Sequence, residues 1–407
     1  MRNPEDEMML EIYQLLNNPS QKGLHQVIEE RINEMGLNNF HVAKILGIDK
    51  STFNRHLEKL ASGGVNNLDF FLILKICHFL GISITDITKM FVGSLAPENI
   101  RELELARKAN YIINTFDVKG LKEQGFLDTT TDFEKIENRI VRFFGLESIF
   151  HYSTEVGAVA FSRTKNISHD KMREFWVNAA IFQFKKINNP NDYSVDTLLA
   201  LIPKMAPYTR YVEKGFHHVI QALFNVGITV IIQSYLSKTQ VRGGTFVINN
   251  KPCIVITDFN KSYPHLWFAL MHELYHVLYD FEQLKTLRYH LTGEAQSDLY
   301  LFREDYADMF GWQMLFPKEK REYVKHVIKS ESFVYAYAKD NMVHPAIIYA
   351  IYCEEKQNLE KKNEYGFYRQ HFGNSEKALQ YVKCNPWDKD SLTEEIEKIK
   401  KSLTVQQ

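Results

Sequence analysis

Apolar residues recur at every third or fourth position from Leu24 to Met90, and turn-forming residues interrupt this pattern at short intervals. A period near 3.6 places apolar side chains on one helix face, and glycine commonly follows a helix, so the pattern predicts short helices. They are expected at Leu24 to Met35, at Asn39 to Leu46, from Asp49 or Ser51 to about Leu60, at Leu68 to Leu80 and at Ile84 to Val92. We therefore expect a compact all-α domain over residues 22–92.

The remainder of the chain mixes helical and strand-like patterns. Charged helical sequence predicts a connector over 97–138, and short strand-like runs follow between 147 and 163. Beyond Gly227, the run Thr229 to Ile232 is typical of a buried strand, and residues 243–248 and 253–257 flank a turn, which predicts a hairpin. A long helix is expected to begin near Pro264. The chain is thus predicted to be α+β, with a small sheet among helices.

Length and charge narrow the function classes. The 407 residues suggest two or three domains, and 49 Lys and Arg against 50 Asp and Glu exclude a protein that binds polyanions through bulk charge. No apolar run is long enough to predict a membrane span, and the acidic beginning of the chain is unlike a secretion signal. The four cysteines have no paired spacing, so we expect a reduced, cytoplasmic protein.

The predicted long helix contains His272-Glu273-Leu274-Tyr275-His276. Histidines four positions apart lie on one helix face, so both imidazoles can reach one metal ion, and Glu273 lies beside them to take a proton from water. This spacing is typical of zinc metallopeptidases. Because a short motif also arises by chance, it needs a third ligand from another element.

The next predicted helix, about 298–316, offers that ligand. Glu304, Ala307, Asp308 and Gly311 share one face, so two small residues permit close approach to the histidine helix while two acids point toward it. Glu304 is the candidate zinc ligand, and Asp308 is the candidate partner of a ligand histidine. Two alternatives stay open: His290 as the third ligand, or ordinary ion pairs among these residues. Asp280 and Glu282 are interpreted as surface charges.

These motifs resemble the ImmA/IrrE family of zinc-dependent metallopeptidases. The similarity spans residues 139–356 and includes the runs 242–246, 253–257, 266–276, 304–311, 314–317 and 344–348. It implies a zincin-like domain of helices around a small sheet, with a gluzincin-like ligand set of His272, His276 and Glu304 and with Glu273 as general base. The chain departs from the family at Tyr275 and Gly311, where small residues and alanine, respectively, are usual. The sequence beyond, 360–407, predicts a separate tail with a solvated amphipathic helix.

A mechanism follows from this interpretation. Zinc lowers the pKa of a bound water, Glu273 deprotonates it for attack on a peptide carbonyl, and the proton then passes to the leaving amine. Gly243, Gly244 and Thr245 are expected on an exposed edge strand that holds substrate by strand addition. Candidates for oxyanion stabilisation, none preferred, are Tyr275, His290, Tyr306 and His344. The resemblance implies a helix-turn-helix repressor or antitoxin as the substrate, cleaved in a stress or phage-related response.

The N-terminal helices resemble Cro/C1-type (XRE) helix-turn-helix domains over residues 37–55 and 80–87. In that geometry the helix from Lys50 enters the major groove, which gives six candidate DNA contacts. They are Asn39, Lys50, Ser51, Thr52, Asn54 and Arg55. The charge of residues 22–95 is only +1, from eight Lys and Arg against seven Asp and Glu. Phosphate contacts usually dominate affinity, so a domain that binds a protein partner or forms a homodimer remains an alternative.

Two functions therefore remain from the sequence. In the first, the chain is a zinc metalloendopeptidase that cleaves a repressor or antitoxin. In the second, it is a regulator that binds operator DNA, and its metal domain senses a signal or a partner without cleaving it. The two hypotheses differ in whether Glu273 is needed for the effect in cells.

Overall fold

The computed structural model describes residues 22–63, 68–93, 95–156, 167–236, 241, 243–257, 261–286, 290–292, 298–384 and 386–404. Its internal contacts divide the chain into two units, Met1–Asn110 and Tyr111–Gln407. The chain is mostly helical with one small mixed sheet, which confirms the predicted α+β class. Within the described ranges, no helix is both long and apolar enough to cross a membrane.

The first unit contains the five predicted helices with small shifts at their ends. They are α1 (Leu24–Glu34), α2 (Asn39–Leu46), α3 (Lys50–Ala61), α4 (Phe70–Phe79) and α5 (Ile84–Gly93), and α6 (Pro97–Thr115) follows. Local signals set several boundaries: Asn38 and Asp69 accept a backbone N–H at the starts of α2 and α4, and Gly47 ends α2 at a φ of 69°. Their apolar faces form a separate core that includes Ile28, Val42 and Phe53.

The second unit surrounds the sheet with helices. Before the sheet lie α7 (Val118–Glu123), α8 (Phe133–Phe144), α9 (Ile167–Ile187), α10 (Val195–Leu201) and α11 (Gly215–Asn225). Within and after the sheet lie α12 (Tyr263–Tyr279), α13 (Phe281–Thr286), α14 (Asp298–Leu315), α15 (Lys318–Val324), α16 (Glu331–Asp340), α17 (Pro345–Glu360), α18 (Tyr365–Tyr368), α19 (Glu376–Leu379) and α20 (Leu392–Leu403). One continuous apolar core joins these helices to the sheet.

The sheet has the strand order β4-β2-β3-β1-β5. Its strands are β1 (Thr229–Gln233), β2 (Gly243–Ile248), β3 (Lys251–Thr257), β4 (His290–Thr292) and β5 (Lys383–Cys384). The predicted hairpin is present: β2 and β3 pair antiparallel, and Asn249 and Asn250, with φ of 52° and 61°, form the primed turn that suits two adjacent strands. β3 pairs parallel with β1, which pairs parallel with β5.

Two predicted boundaries differ from the structure. The proposed connector, 97–138, is not one segment, because the division between the units falls after Asn110 and Phe116, Leu121 and Phe126 are buried in the core of the second unit. The tail, 360–407, is also part of that core. Helix α20 does occupy the predicted amphipathic segment, but its apolar face, with Leu392 and Ile396, is buried rather than solvated.

The strand-like runs predicted between 147 and 163 are also absent from the described part of that segment. Residues Ile149–His151 form a 3-10 turn and Tyr152–Val156 a π-helical turn, while residues 157–163 lie outside the described residues. Tyr152 and Val156 are buried while Thr154 between them is exposed, whereas all three would share one face of a strand.

Candidate metal centre

Helix α12 supplies two of the candidate metal ligands. Pro264 occupies the first turn of the helix, where the missing N–H of proline costs no hydrogen bond. The helix is buried along nearly its whole length, because it packs against β2 and β3 on one side and against α14 on another. His272 and His276 are each 2% exposed, so this packing fixes both imidazoles on the face toward α14.

Helix α14 brings Glu304 to these histidines. The Nε2 atom of His272 lies 3.3 Å from Oε2 of Glu304, that of His276 lies 3.4 Å from Oε1, and the two Nε2 atoms are 3.3 Å apart. These three residues form a group that can hold a metal ion. His290 lies in β4, where its backbone pairs with Thr245, and its side chain lies outside what the structure describes.

Small residues explain how closely α14 approaches α12. Ala307 is fully buried, and a methyl group added at Gly311 would lie 3.1 Å from the Phe268 ring and 3.4 Å from the backbone nitrogen of His272. The face shared by two acids and two small residues therefore does lie against the histidine helix, as its composition indicated.

Each candidate ligand histidine also contacts a carboxylate through its Nδ1 atom. The distance from His272 Nδ1 to Asp308 Oδ1 and the distance from His276 Nδ1 to Asp280 Oδ2 are both 2.8 Å. When these Nδ1 atoms carry the proton and donate it to the carboxylates, the Nε2 lone pairs are left to bind a metal.

Asp280 corrects a prediction from the sequence. It was interpreted as a surface charge, but its side chain is only 9% exposed and it accepts a hydrogen bond from His276. The signal was present in the spacing, since His272, His276 and Asp280 follow one another at intervals of four on the same helix face. By contrast, the side chain of Asp308 is 51% exposed.

The surrounding carboxylates make the centre favour positive charge. Burial alone lowers the pKa of His272, but its hydrogen bonds to Asp308 and Glu304 outweigh burial and raise the pKa to about 10. Burial likewise opposes protonation of His276, and its bonds to Asp280 and Glu304 raise its pKa overall. A bound cation would take the place of this proton among the same acids.

The carboxylate of Glu273 lies against strand β2 of the sheet. Glu273 is 1% exposed, and Thr245 Oγ1 donates a hydrogen bond of 2.6 Å to its Oε2 atom. Strand β4 pairs with Gly243, Gly244 and Thr245, so the prediction that these residues form an exposed substrate edge is wrong. The prediction failed because β4 follows β2 by more than forty residues, and no local pattern indicates that pairing.

The remaining oxyanion candidates lie in different surroundings. The Tyr275 ring packs against Tyr279 and Phe310, with centroids 4.8 and 5.8 Å away. Tyr306 is 58% exposed. His344 precedes α17, where its Nδ1 atom accepts a hydrogen bond from the backbone of Ala346, and burial lowers its pKa. His344 thus serves as a helix cap in the second unit.

The six candidate DNA contacts lie around the start of α2 and along α3 in the first unit. Lys50, Ser51 and Arg55 are exposed, and Thr52 is half-buried. Asn39 and Asn54, also half-buried, bond to each other, with Asn39 Nδ2 donating to Asn54 Oδ1 at 3.0 Å. Ser51 and Arg55, four positions apart, lie on the face of α3 opposite the buried Phe53 and Leu57, and Lys50 is the first residue of the helix.

Comparison with known proteins does not identify a relative. No protein-family model matches the chain, and neither the curated proteins nor the solved structures include a significant match.

Proposed function

We propose that the second unit is a zinc-dependent metallopeptidase of zincin-like fold. The supporting observation is the spacing of the ligand atoms. Around a tetrahedral zinc ion, atoms that bind at about 2.0–2.1 Å lie about 3.3–3.4 Å from one another. Each histidine Nε2 lies 3.3 to 3.4 Å from the nearest Glu304 oxygen, and the two nitrogens are 3.3 Å apart. Two histidines and one glutamate, with a fourth position for water, are a common catalytic zinc site.

In this proposal, His272, His276 and Glu304 would hold a zinc ion, which would supply a Lewis acid for a peptide carbonyl and for water. Glu273 takes a proton from the attacking water and returns it to the leaving amine as the C–N bond breaks. Asp308 and Asp280 keep the two imidazoles in the tautomer that leaves Nε2 unprotonated. The similarity of the motifs to the ImmA/IrrE family suggests a helix-turn-helix repressor or antitoxin as the substrate.

Metal analysis and a single substitution test this function. The purified chain should contain about one zinc ion, and His272→Ala should remove it, whereas His265→Ala, on the same helix but outside the ligand group, should retain it. Glu273→Gln should keep zinc and lose cleavage of an internally quenched peptide mixture by about a hundredfold or more. Zinc-free protein, or full cleavage by the Glu273→Gln variant, would refute the peptidase.

We propose operator binding as a second function, for the first unit. It is supported by the exposed Lys50, Ser51 and Arg55 of α3, a helix that follows α2 as the recognition helix follows the first helix of a helix-turn-helix. An electrophoretic mobility shift assay with DNA from the promoter region of the gene that encodes this chain tests the proposal. Binding should weaken as salt rises and should fall about tenfold with Arg55→Ala, while Arg31→Ala, on α1, serves as the control. Absence of salt-dependent binding would exclude an operator function.

A further inference from the structure

Two residues of β2 form the surroundings of Glu273. Gly243 and Thr245 are two positions apart and therefore face the same side of the sheet, toward α12. Thr245 Oγ1 donates to Glu273 Oε2 at 2.6 Å, and a methyl group added at Gly243 would lie 2.5 Å from Glu273 Oε1. Thr245 thus holds the Oε2 atom of Glu273, and Gly243 leaves room for the Oε1 atom.

The backbone that carries these residues is held from both sides. Thr245 pairs with Ile254 of β3 and with His290 of β4, and Gly243 pairs with Ile256 and Thr292. Thr245 is fully buried, and a β-branched side chain rotates little about its first torsion. The hydroxyl is therefore fixed before any substrate arrives, which is what a positioned donor requires.

Glu273 needs such support because its carboxylate is buried. A buried carboxylate that lacks a hydrogen-bond donor is strongly unfavourable, and a glutamate side chain has three torsions to be fixed. The strand has no room to move a side chain at position 243 away from Glu273. A methyl group added there would also lie 3.2 Å from the carbonyl oxygen of Val255. A side chain at position 243 would therefore displace the carboxylate rather than bend around it.

We propose that Thr245 is a positioning residue for Glu273, and that Gly243 is required to accommodate the second oxygen of that carboxylate. The pair sets the orientation in which Glu273 meets the attacking water. This catalytic consequence rests on the proposed peptidase function, whereas the contact between Thr245 and Glu273 does not.

The kinetic test compares three variants of the zinc-loaded full chain on an internally quenched peptide that the unmodified protein cleaves. Thr245→Val, which removes only the hydroxyl, should lower kcat about tenfold to a hundredfold with KM and zinc content unchanged. Thr245→Ser should restore kcat to within about threefold of the unmodified protein, because it returns the donor. Unchanged kcat in Thr245→Val, or equal loss in both variants, would overturn the proposal.

The control for this test is Thr229→Val. Thr229 is also a fully buried strand residue, but its hydroxyl has no hydrogen-bond partner among the described residues. The Thr229→Val substitution should therefore leave kcat unchanged. A loss of kcat equal to that of Thr245→Val would show that any valine in the sheet impairs the protein, and would also overturn the proposal.

A thermal double-mutant cycle tests the contact without any substrate. Thr245→Val should lower Tm by about 5 °C in the unmodified background and by less than half as much in a Glu273→Leu background, where the hydroxyl has no carboxylate to bond. Equal Tm losses in the two backgrounds would overturn the contact.

Gly243→Ala provides a second, independent variant if Thr245→Val does not fold. It should retain zinc and lose kcat about tenfold or more, since the methyl group occupies the space of Oε1, and unchanged kcat would contradict the proposal. The failures remain distinguishable: if the unmodified zinc protein cleaves no peptide, the peptidase function fails while the thermal cycle still decides the contact. If it cleaves and Thr245→Val cleaves equally well, only the positioning role fails.

Discussion

The two carboxylates that contact the candidate ligand histidines differ in their access to water. Asp280 is 9% exposed and Asp308 is 51% exposed, although both lie 2.8 Å from a histidine Nδ1. Water weakens an electrostatic interaction, so the buried carboxylate polarises its imidazole more strongly. The contribution of each acid to metal affinity should therefore follow burial rather than distance.

Alanine substitutions test this difference. Asp280→Ala should weaken zinc binding toward the upper end of a range of about 10- to 100-fold, and Asp308→Ala toward the lower end. Competition with a chromophoric chelator measures both dissociation constants. Glu282→Ala, which removes an exposed acid two positions past Asp280, should leave zinc affinity unchanged. A larger effect at Asp308 than at Asp280 would contradict the argument.

His344 predicts a pH dependence of stability. Its ring accepts the backbone N–H of Ala346, which only an unprotonated Nδ1 can do, and burial lowers its pKa below the usual value of about 6.5. As pH falls below 6.5, the unfolded chain takes up this proton first, so the free energy of unfolding decreases. Above pH 6.5 the ring is neutral in both states, and this contribution is fully present.

His344→Asn should reduce that dependence, because asparagine also caps a helix and does not titrate. Between pH 7 and pH 5, the loss in Tm should be smaller in His344→Asn than in the unmodified chain, as measured by calorimetry at matched ionic strength. An identical loss in both proteins would show that His344 does not contribute.

At the scale of elements, the sequence patterns predicted those helices and strands that depend on contacts between residues close together in the chain. The five helices of the first unit, the β2–β3 hairpin and the α12 helix follow from periodicity, caps and turn residues such as Asn249 and Asn250. Pairings across long stretches of chain were missed. No local signal indicates that β4 pairs with Gly243 to Thr245, and the sequence likewise gives no sign of the contact between Thr245 and Glu273.

Helix α20 is a second element whose long-range contacts were not predicted from the sequence, and its burial yields a prediction. Its Leu392, Ile396 and Leu403 are at most 1% exposed, and Ser402 O accepts hydrogen bonds from Gln221 Nε2 and the His217 ring. Burial of three such side chains contributes about 5–9 kcal/mol, an upper estimate, against a total stability of about 5–15 kcal/mol for a domain. A chain that ends at Asp390 should therefore lose the cooperative melting transition of the second unit.

A chain that ends at Thr404 is the control for this truncation, since it keeps α20 whole. It should melt like the full chain in calorimetry. If the chain that ends at Asp390 also melts normally, α20 is not part of the core that holds the second unit together.

At the scale of the whole molecule, the candidate metal centre belongs to only one of two separate cores. All residues of the centre lie in the second unit, Tyr111–Gln407, while the first unit has its own apolar core around Val42 and Phe53. A ligand that binds the folded form of one unit stabilises that unit by mass action. Zinc should therefore act on the stability of the second unit alone.

Calorimetry with and without a chelator tests this linkage. At zinc about a thousandfold above its dissociation constant, the gain is about 4 kcal/mol, which corresponds to a Tm increase of about 5–10 °C for a domain of this size. Phe53→Ala should lower the Tm of the first unit only and so identifies its transition. That transition should not move with zinc, and His272→Ala should abolish the shift of the other. An equal shift of both transitions would mean that zinc acts on the two units together, contrary to a centre built wholly from residues of the second.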